Sequence, residues 1–177
     1  MTSRESTPHE TMKPTTTTTA PPTSPPMEPT TTTPPRPSTG EPIPSRELRI
    51  TREDLRRYAE ASGDHNPIHL HDEAARALGL PGVVAHGMLT SALAIGVVAE
   101  WAGGADRVLA TSIRFAGPVV VPADEPAVLT VSGTVRRVAE DGSSADVALA
   151  VTCGGAKVFG KAIVMVSLTP GEPGEDA

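Results

Sequence analysis

The sequence predicts an α+β domain in which an antiparallel sheet wraps one long central helix. Residues 87–102 are apolar or small at nearly every position, with Thr90, Ser91 and Glu100 the exceptions, and a helix that is apolar on all sides is normally buried on all sides. The segments 108–115, 127–138, 144–152 and 157–168 that follow it are rich in Val, Ile, Thr and Ala, the composition of strands. Between them, Glu140-Asp141-Gly142-Ser143 and Gly154-Gly155 are hairpin signals, the second suited to a tight turn with positive φ.

The elements before the long helix follow from local patterns. Residues 1–42 hold most of the prolines and two threonine runs, 15–19 and 30–33, with almost no large apolar side chain. Such a segment buries too little surface to offset its ordering entropy and is expected to be a disordered tail. Residues 43–169 then form the domain, and 170–177 an acidic end. Within the domain, residues 46–50 alternate polar and apolar side chains and predict a short strand. Thr51 is placed to cap a helix, with Asp54 three residues on as a shorter capping-box acid and Leu55, Tyr58 and Ala59 as its apolar face. That helix should stop at Gly63. Asp72 is the expected N-cap of a brief helix over 73–78 that ends at Gly79 and Pro81 and folds the chain back over the turn at 64–69.

Composition narrows the function classes. The net charge of −6 is largely an effect of the ends: the segment 1–42 contributes −1 and the C-terminal Glu172, Glu175 and Asp176 contribute −3, leaving −2 for the domain. No basic field points to nucleic acid. Cys153 is the only cysteine, so no intrachain disulfide is possible. The longest apolar stretch, 92–99, is too short to span a bilayer, and no apolar run of signal-peptide type opens the chain. A soluble, cytoplasmic protein with no membrane association is the expectation.

Chemistry is expected at two stretches joined by the brief helix. Ser62-Gly63-Asp64-His65-Asn66-Pro67-Ile68-His69 sets a carboxylate and an imidazole five residues apart around an Asn-Pro turn, a common pair for moving protons near neutral pH. Ala85-His86-Gly87-Met88 runs directly into the long helix, whose first N–H groups have no intrahelical acceptor and can hold a developing oxyanion. Taken alone, Asp64 and His69 also suit a plain turn. His65, His69 and His71 do not share one helical face, so no metal site is expected. Cys153 reads as a small buried residue rather than a nucleophile. Trp101 and Phe115 read as core, with the lining of an acyl tunnel as the alternative for either, and Arg114, Lys157 and Lys161 as solvated strand positions.

These residues carry a family resemblance. Tyr58, Ser62-Gly63-Asp64-x-Asn66-Pro67-Ile68-His69 and a further Ala five residues on resemble the signature of the R-specific enoyl-CoA hydratases, or MaoC-like dehydratases, and Ala85-His86-Gly87-Met88 matches the family's next landmark. The resemblance spans roughly residues 45 to 168. Ile113-Arg114-Phe115, Pro118-Val119-Val120-Val121-Pro122 and residues 154–162 are similar to the catalytic subunit of the two-subunit (3R)-hydroxyacyl-ACP dehydratases.

The resemblance implies the hot-dog fold. It further implies catalytic roles for Asp64 and His69 and a Gly87 N–H that donates to a thioester carbonyl, with Asn66 orienting the loop and Ser62, Gly63 and His86 in support. It implies reversible hydration of a trans-2-enoyl thioester to a (3R)-3-hydroxyacyl thioester on CoA or ACP, with no cofactor. The expected assembly is a homodimer, or a heterodimer with a homologous hot-dog subunit. The competing readings are a hot-dog thioesterase, which needs its hydrolytic acid elsewhere, and a non-catalytic partner subunit, which would not require the Asp64 and His69 pair.

Overall fold

The computed structural model describes residues 36–169. Most of the Pro/Thr-rich segment expected to be disordered, and the acidic end at 170–177, lie outside the described residues. Strand β1 (Pro42–Ile50) leads into helix α1 (Arg52–Ser62), then α2 (Asp72–Ala77) and the long α3 (Gly87–Ala102). Strands β2 (Val108–Phe115), β3 (Ala127–Val138), β4 (Ser144–Cys153), the two-residue β5 (Ala156–Lys157) and β6 (Phe159–Ser167) complete the domain. All pairings are antiparallel, in the order β1-β3-β4-β6-β2, with β5 paired to the end of β4.

The alternation expected of strands with one covered face is present. In β3, Ala127, Leu129, Val131, Gly133 and Val135 are buried, and Val128, Thr130, Ser132 and Thr134 between them are more exposed. Ala145, Val147, Leu149 and Val151 of β4, with Ala162, Val164 and Val166 of β6, continue the same inner surface, and α3 lies against it with Ala94, Val97, Val98 and Ala102 buried. This is the sheet-around-helix arrangement of the hot-dog fold. Gly133 is required by close packing, since a Cβ there would sit 2.9 Å from the Ile43 side chain and 3.2 Å from the Ala148 carbonyl oxygen. It pairs with Ile43 beside the register shift in β1, which makes that strand longer than the segment 46–50 alone suggests.

Local signals act as read. The Thr51 hydroxyl accepts from the Asp54 N–H at 3.2 Å while the Asp54 carboxylate accepts from the Thr51 N–H at 2.9 Å, closing a capping box. Gly63 ends α1 in the left-handed region at φ 75°, and Gly154 and Gly155 turn β4 into β5 at φ 55° and 81°.

Three expectations are corrected. Asp72 is the first residue of α2 rather than its cap. Its carboxylate instead takes Arg52 Nη2 at 2.9 Å and the Val83 N–H at 3.0 Å, and these bonds hold it below the usual carboxylate range. Helix α3 is not buried all round: Met88 is 67% exposed, and Ala92 and Gly96 continue an exposed stripe at four-residue spacing, because the sheet curls about the other faces. Of the three exceptions, Glu100 is exposed, while Thr90 and Ser91 face inward, where their hydroxyls donate to the carbonyls of His86 and Gly87. Phe115, read as core, is 48% exposed at the end of the edge strand β2, whereas Trp101 packs partly buried against the core. Among the described residues no helix is long and apolar enough to cross a membrane.

Leu129 is fully buried in a strand paired on both sides, so Leu129→Ala is expected to cost about 2–5 kcal/mol of stability. Urea denaturation followed by circular dichroism reads this directly as a lowered midpoint at unchanged slope.

Candidate functional site

The site forms where three backbone segments are stitched together beneath the start of α3. The residues after α2 run alongside 119–121: Ala85 N–H donates to the Val119 carbonyl at 2.8 Å, Val121 N–H to Val83 at 2.9 Å, and Val84 pairs with Val120. Val84 N–H reaches back to the Ile68 carbonyl at 3.2 Å. The segment that carries His69 is therefore tied to the one that carries His86 and Gly87.

The loop after α1 is shaped by its own short side chains. The Ser62 hydroxyl donates to the Tyr58 carbonyl at 2.7 Å and accepts from the Asp64 N–H at 3.2 Å. The Asp64 carboxylate accepts from the Asn66 N–H, and the Asn66 side-chain oxygen accepts from the Ile68 N–H, each at 3.3 Å. Asn66 thereby caps a single 3₁₀ turn, Pro67–His69, with Pro67 at its first position, where a missing N–H costs nothing. This turn delivers the His69 ring, half-buried, to the Val84 carbonyl, which accepts from Nδ1 at 2.8 Å. With the proton on Nδ1, the lone pair of neutral His69 lies at Nε2.

A carboxylate oxygen of Asp64, a ring nitrogen of His69 and a ring nitrogen of His86 lie within 4.8 Å of one another. Among the described residues this is the group that could hold a metal ion, and it differs from the His65, His69 and His71 set that the sequence offers. The His69 and His86 rings lie with centroids 3.9 Å apart and planes tilted by 31°. His86 Nε2 donates to the Asp64 backbone carbonyl at 3.0 Å, which engages one of its nitrogens.

His86 is 1% exposed, and Tyr58 covers it with a ring centroid at 4.8 Å. Burial lowers its pKa, the nearby His69 adds to the effect, and the hydrogen bond to Asp64 opposes it. His65 and His71, by contrast, are not part of the cluster and are exposed.

Gly87, the first residue of α3, offers an N–H with no acceptor among the described residues. It opens onto a cavity of about 340 Å³ lined by Ala85, Gly87, Thr90, Phe115, Pro118 and Val158 among others. A Cβ at Gly87 would lie 3.1 Å from Phe115 Cζ, so a larger residue there pushes that ring back by a few tenths of an ångström. Phe115 is fixed there by an edge-on contact with Phe159 at 5.4 Å. Phe115 thus follows the tunnel-lining alternative rather than the core reading, whereas the Val84 carbonyl that orients His69 is set by a chain crossing that local pattern does not encode.

Comparison with known proteins finds relatives in sequence and in fold. The 3-hydroxyacyl-thioester dehydratase X of Mycobacterium tuberculosis is 46% identical over 82 residues, which is 46% of this chain and 28% of that protein. The chain spans less than half the length of the curated relatives it matches. Among solved structures, the (R)-hydratase from A. caviae involved in PHA biosynthesis superposes with a TM-score of 0.66 at 25% identity, covering 75% of this chain and 97% of that one. The Mycobacterium tuberculosis HadBC (3R-hydroxyacyl-ACP dehydratase) complex shares the fold at a TM-score of 0.56 and 21% identity, over 72% of this chain and 95% of that one. The sequence pattern of the MaoC like domain matches residues 34–152, and the chain belongs to that family.

Proposed function

We propose that the domain catalyses the reversible, (3R)-specific addition of water to a trans-2-enoyl thioester, and the reverse dehydration of the (3R)-3-hydroxyacyl thioester. The observation that carries this reading is the Asp64 carboxylate and the His69 ring clustered with His86, the residue that precedes Gly87 with its open N–H on an apolar cavity. The chain's similarity to a 3-hydroxyacyl-thioester dehydratase and to an (R)-hydratase supports the same chemistry.

The balance of the reaction fits the groups available. An ionised carboxylate and a neutral imidazole bonded through Nδ1 are both acceptors, so one water can donate a hydrogen to each while its oxygen faces C3. As the oxygen bonds to C3, one of these groups takes a water proton, and that group then gives it to C2 on the same face of the double bond, returning to its starting state. Between these events the negative charge rests on the thioester oxygen, where the Gly87 N–H at the positive end of α3 stabilises it. The thioester itself acidifies the C2 position, so neither a metal nor a redox cofactor is needed. A positioned acid–base group contributes about a hundredfold to ten-thousandfold, and an oxyanion donor on the order of a hundredfold to a thousandfold. The acyl group enters on CoA or on ACP, and the protein acts in the cytoplasm.

A second hot-dog subunit, identical or homologous, covers the exposed stripe of α3 and the edge strand β2. Met88 at 67%, Leu109 at 56% and Phe115 at 48% exposure are large apolar side chains that a partner would remove from water, and among the described residues β2 is an edge strand, with one side open to strand pairing.

Loss of enoyl-thioester absorbance with crotonyl-CoA, a longer enoyl-CoA and enoyl-ACP tests the activity. Asp64→Asn and His69→Ala are each expected to lower kcat at least about a hundredfold with the fold intact; substantial turnover in either variant overturns the assignment. Gly87→Ala pushes on Phe115 and the oxyanion position and is expected to lower kcat about tenfold to a hundredfold. Light scattering is expected to give a dimer, and Leu109→Glu to shift it toward the 18.2 kDa monomer.

A further inference from the structure

We infer that His86 is a positioning residue that holds the Asp64 loop, the His69 ring and the Gly87 N–H in one register, and that it does so as a neutral imidazole with its proton on Nε2. The inference rests on the hydratase reading above and concerns a residue to which that reaction assigns no proton transfer.

The first observation is the contact set. His86 is the one ionisable side chain in the buried class among the described residues. It touches all parts of the site: Nε2 donates to the Asp64 carbonyl at 3.0 Å, the ring stacks on His69 with centroids 3.9 Å apart, and the next peptide N–H is that of Gly87.

The second is how little else holds Asp64. Residues 63–66 are exposed, and their other hydrogen bonds reach the adjoining end of α1 or stay within the loop and the 3₁₀ turn that follows: Gly63 to Ala59, His65 to Gly63, Asp64 to Ser62, Asn66 to Asp64, and the Ile68 and His69 N–H groups to Asn66. Among the described residues, the bond from His86 is the hydrogen bond that ties this stretch to the start of α3. Without it the loop loses its direct tie to Gly87, and misplacement by about 1 Å can cost on the order of a hundredfold in rate.

The third is the state of the ring. A carbonyl only accepts, so Nε2 must carry the hydrogen, and Nδ1 is then a buried acceptor with no partner among the described residues. An aliphatic side chain would fill this space without an orphaned polar atom. A buried unpaired group of this kind marks a position where local stability has been given up for a role. The groups that face the ring, Tyr58, His69 and Asp64, leave the Nε2–H bond as its one polar contact.

Two measurements test this. In steady-state kinetics His86→Leu is expected to lower kcat about a hundredfold with KM changed less than about threefold, while His86→Gln, whose amide N–H can reach the same carbonyl, recovers most of the loss. Wild-type kcat in His86→Leu, or no recovery in His86→Gln, overturns the role. Asp64→Asn runs alongside: if it is inactive while His86→Leu is not, only the present inference fails, whereas retained activity in Asp64→Asn sinks the hydratase assignment itself. Independently of turnover and of how the variants fold, nitrogen-15 NMR of the wild-type protein at neutral pH is expected to show His86 as the neutral Nε2–H tautomer. An Nδ1–H or doubly protonated ring overturns the inference.

Discussion

Helix α3 carries almost no polar side chain, so in water it is stable only with other surface folded around it, and the sheet supplies that surface. The buried Val, Leu and Ala side chains of β3, β4 and β6 meet α3 along its length, and burial of apolar area on this scale is the dominant favourable term in folding. Once the helix is fixed, so is its N-terminus. The first turn of α3 cannot move without disturbing the core, which makes the Gly87 N–H a rigid element rather than a loop group.

What remains is to bring acid–base groups to that fixed point, and a second constraint does so. The Asp72 carboxylate bonds both Arg52 at the start of α1 and the N–H of Val83 just before the Val84 bridge to Val120. One side chain thus links the helix that leads into the Asp64 loop to the segment that leads into His86 and Gly87. Carboxylate bonds of this charge-assisted kind are stronger than neutral ones, and they fix the lengths of chain available to the turn at 64–69. The Val84 carbonyl then sets the tautomer of His69, and backbone geometry so decides which nitrogen faces the site.

The same architecture leaves a surface unresolved within one chain. A single curved sheet cannot enclose a helix completely, and the stripe through Met88, Ala92 and Gly96 lies on the uncovered side, with β2 as the sheet edge. The cavity at Gly87 is bounded by Phe115, the last residue of that edge strand, so the site and the uncovered flank meet at one ring.

The sequence by itself determined the elements whose causes are local: the Thr51 capping box, the Gly63 and Gly154-Gly155 turns, the span of α3 from Gly87 to Ala102, and strands β2 and β3. It also contained Asp64, His69 and Gly87 within two short motifs, because a turn, an acid–base pair and a helix start are each written in a few adjacent residues. Only the tertiary structure decided what depends on residues far apart in the chain. Asp72, whose position beside a helix start suggests a cap, is claimed by Arg52 and Val83 because a charged partner outcompetes a local N–H. Phe115 leaves the core for the cavity because its strand lies at the edge of the sheet. His86 joins Asp64 to His69 across 22 residues, and no periodicity records that contact, since it exists only after the sheet has closed around α3.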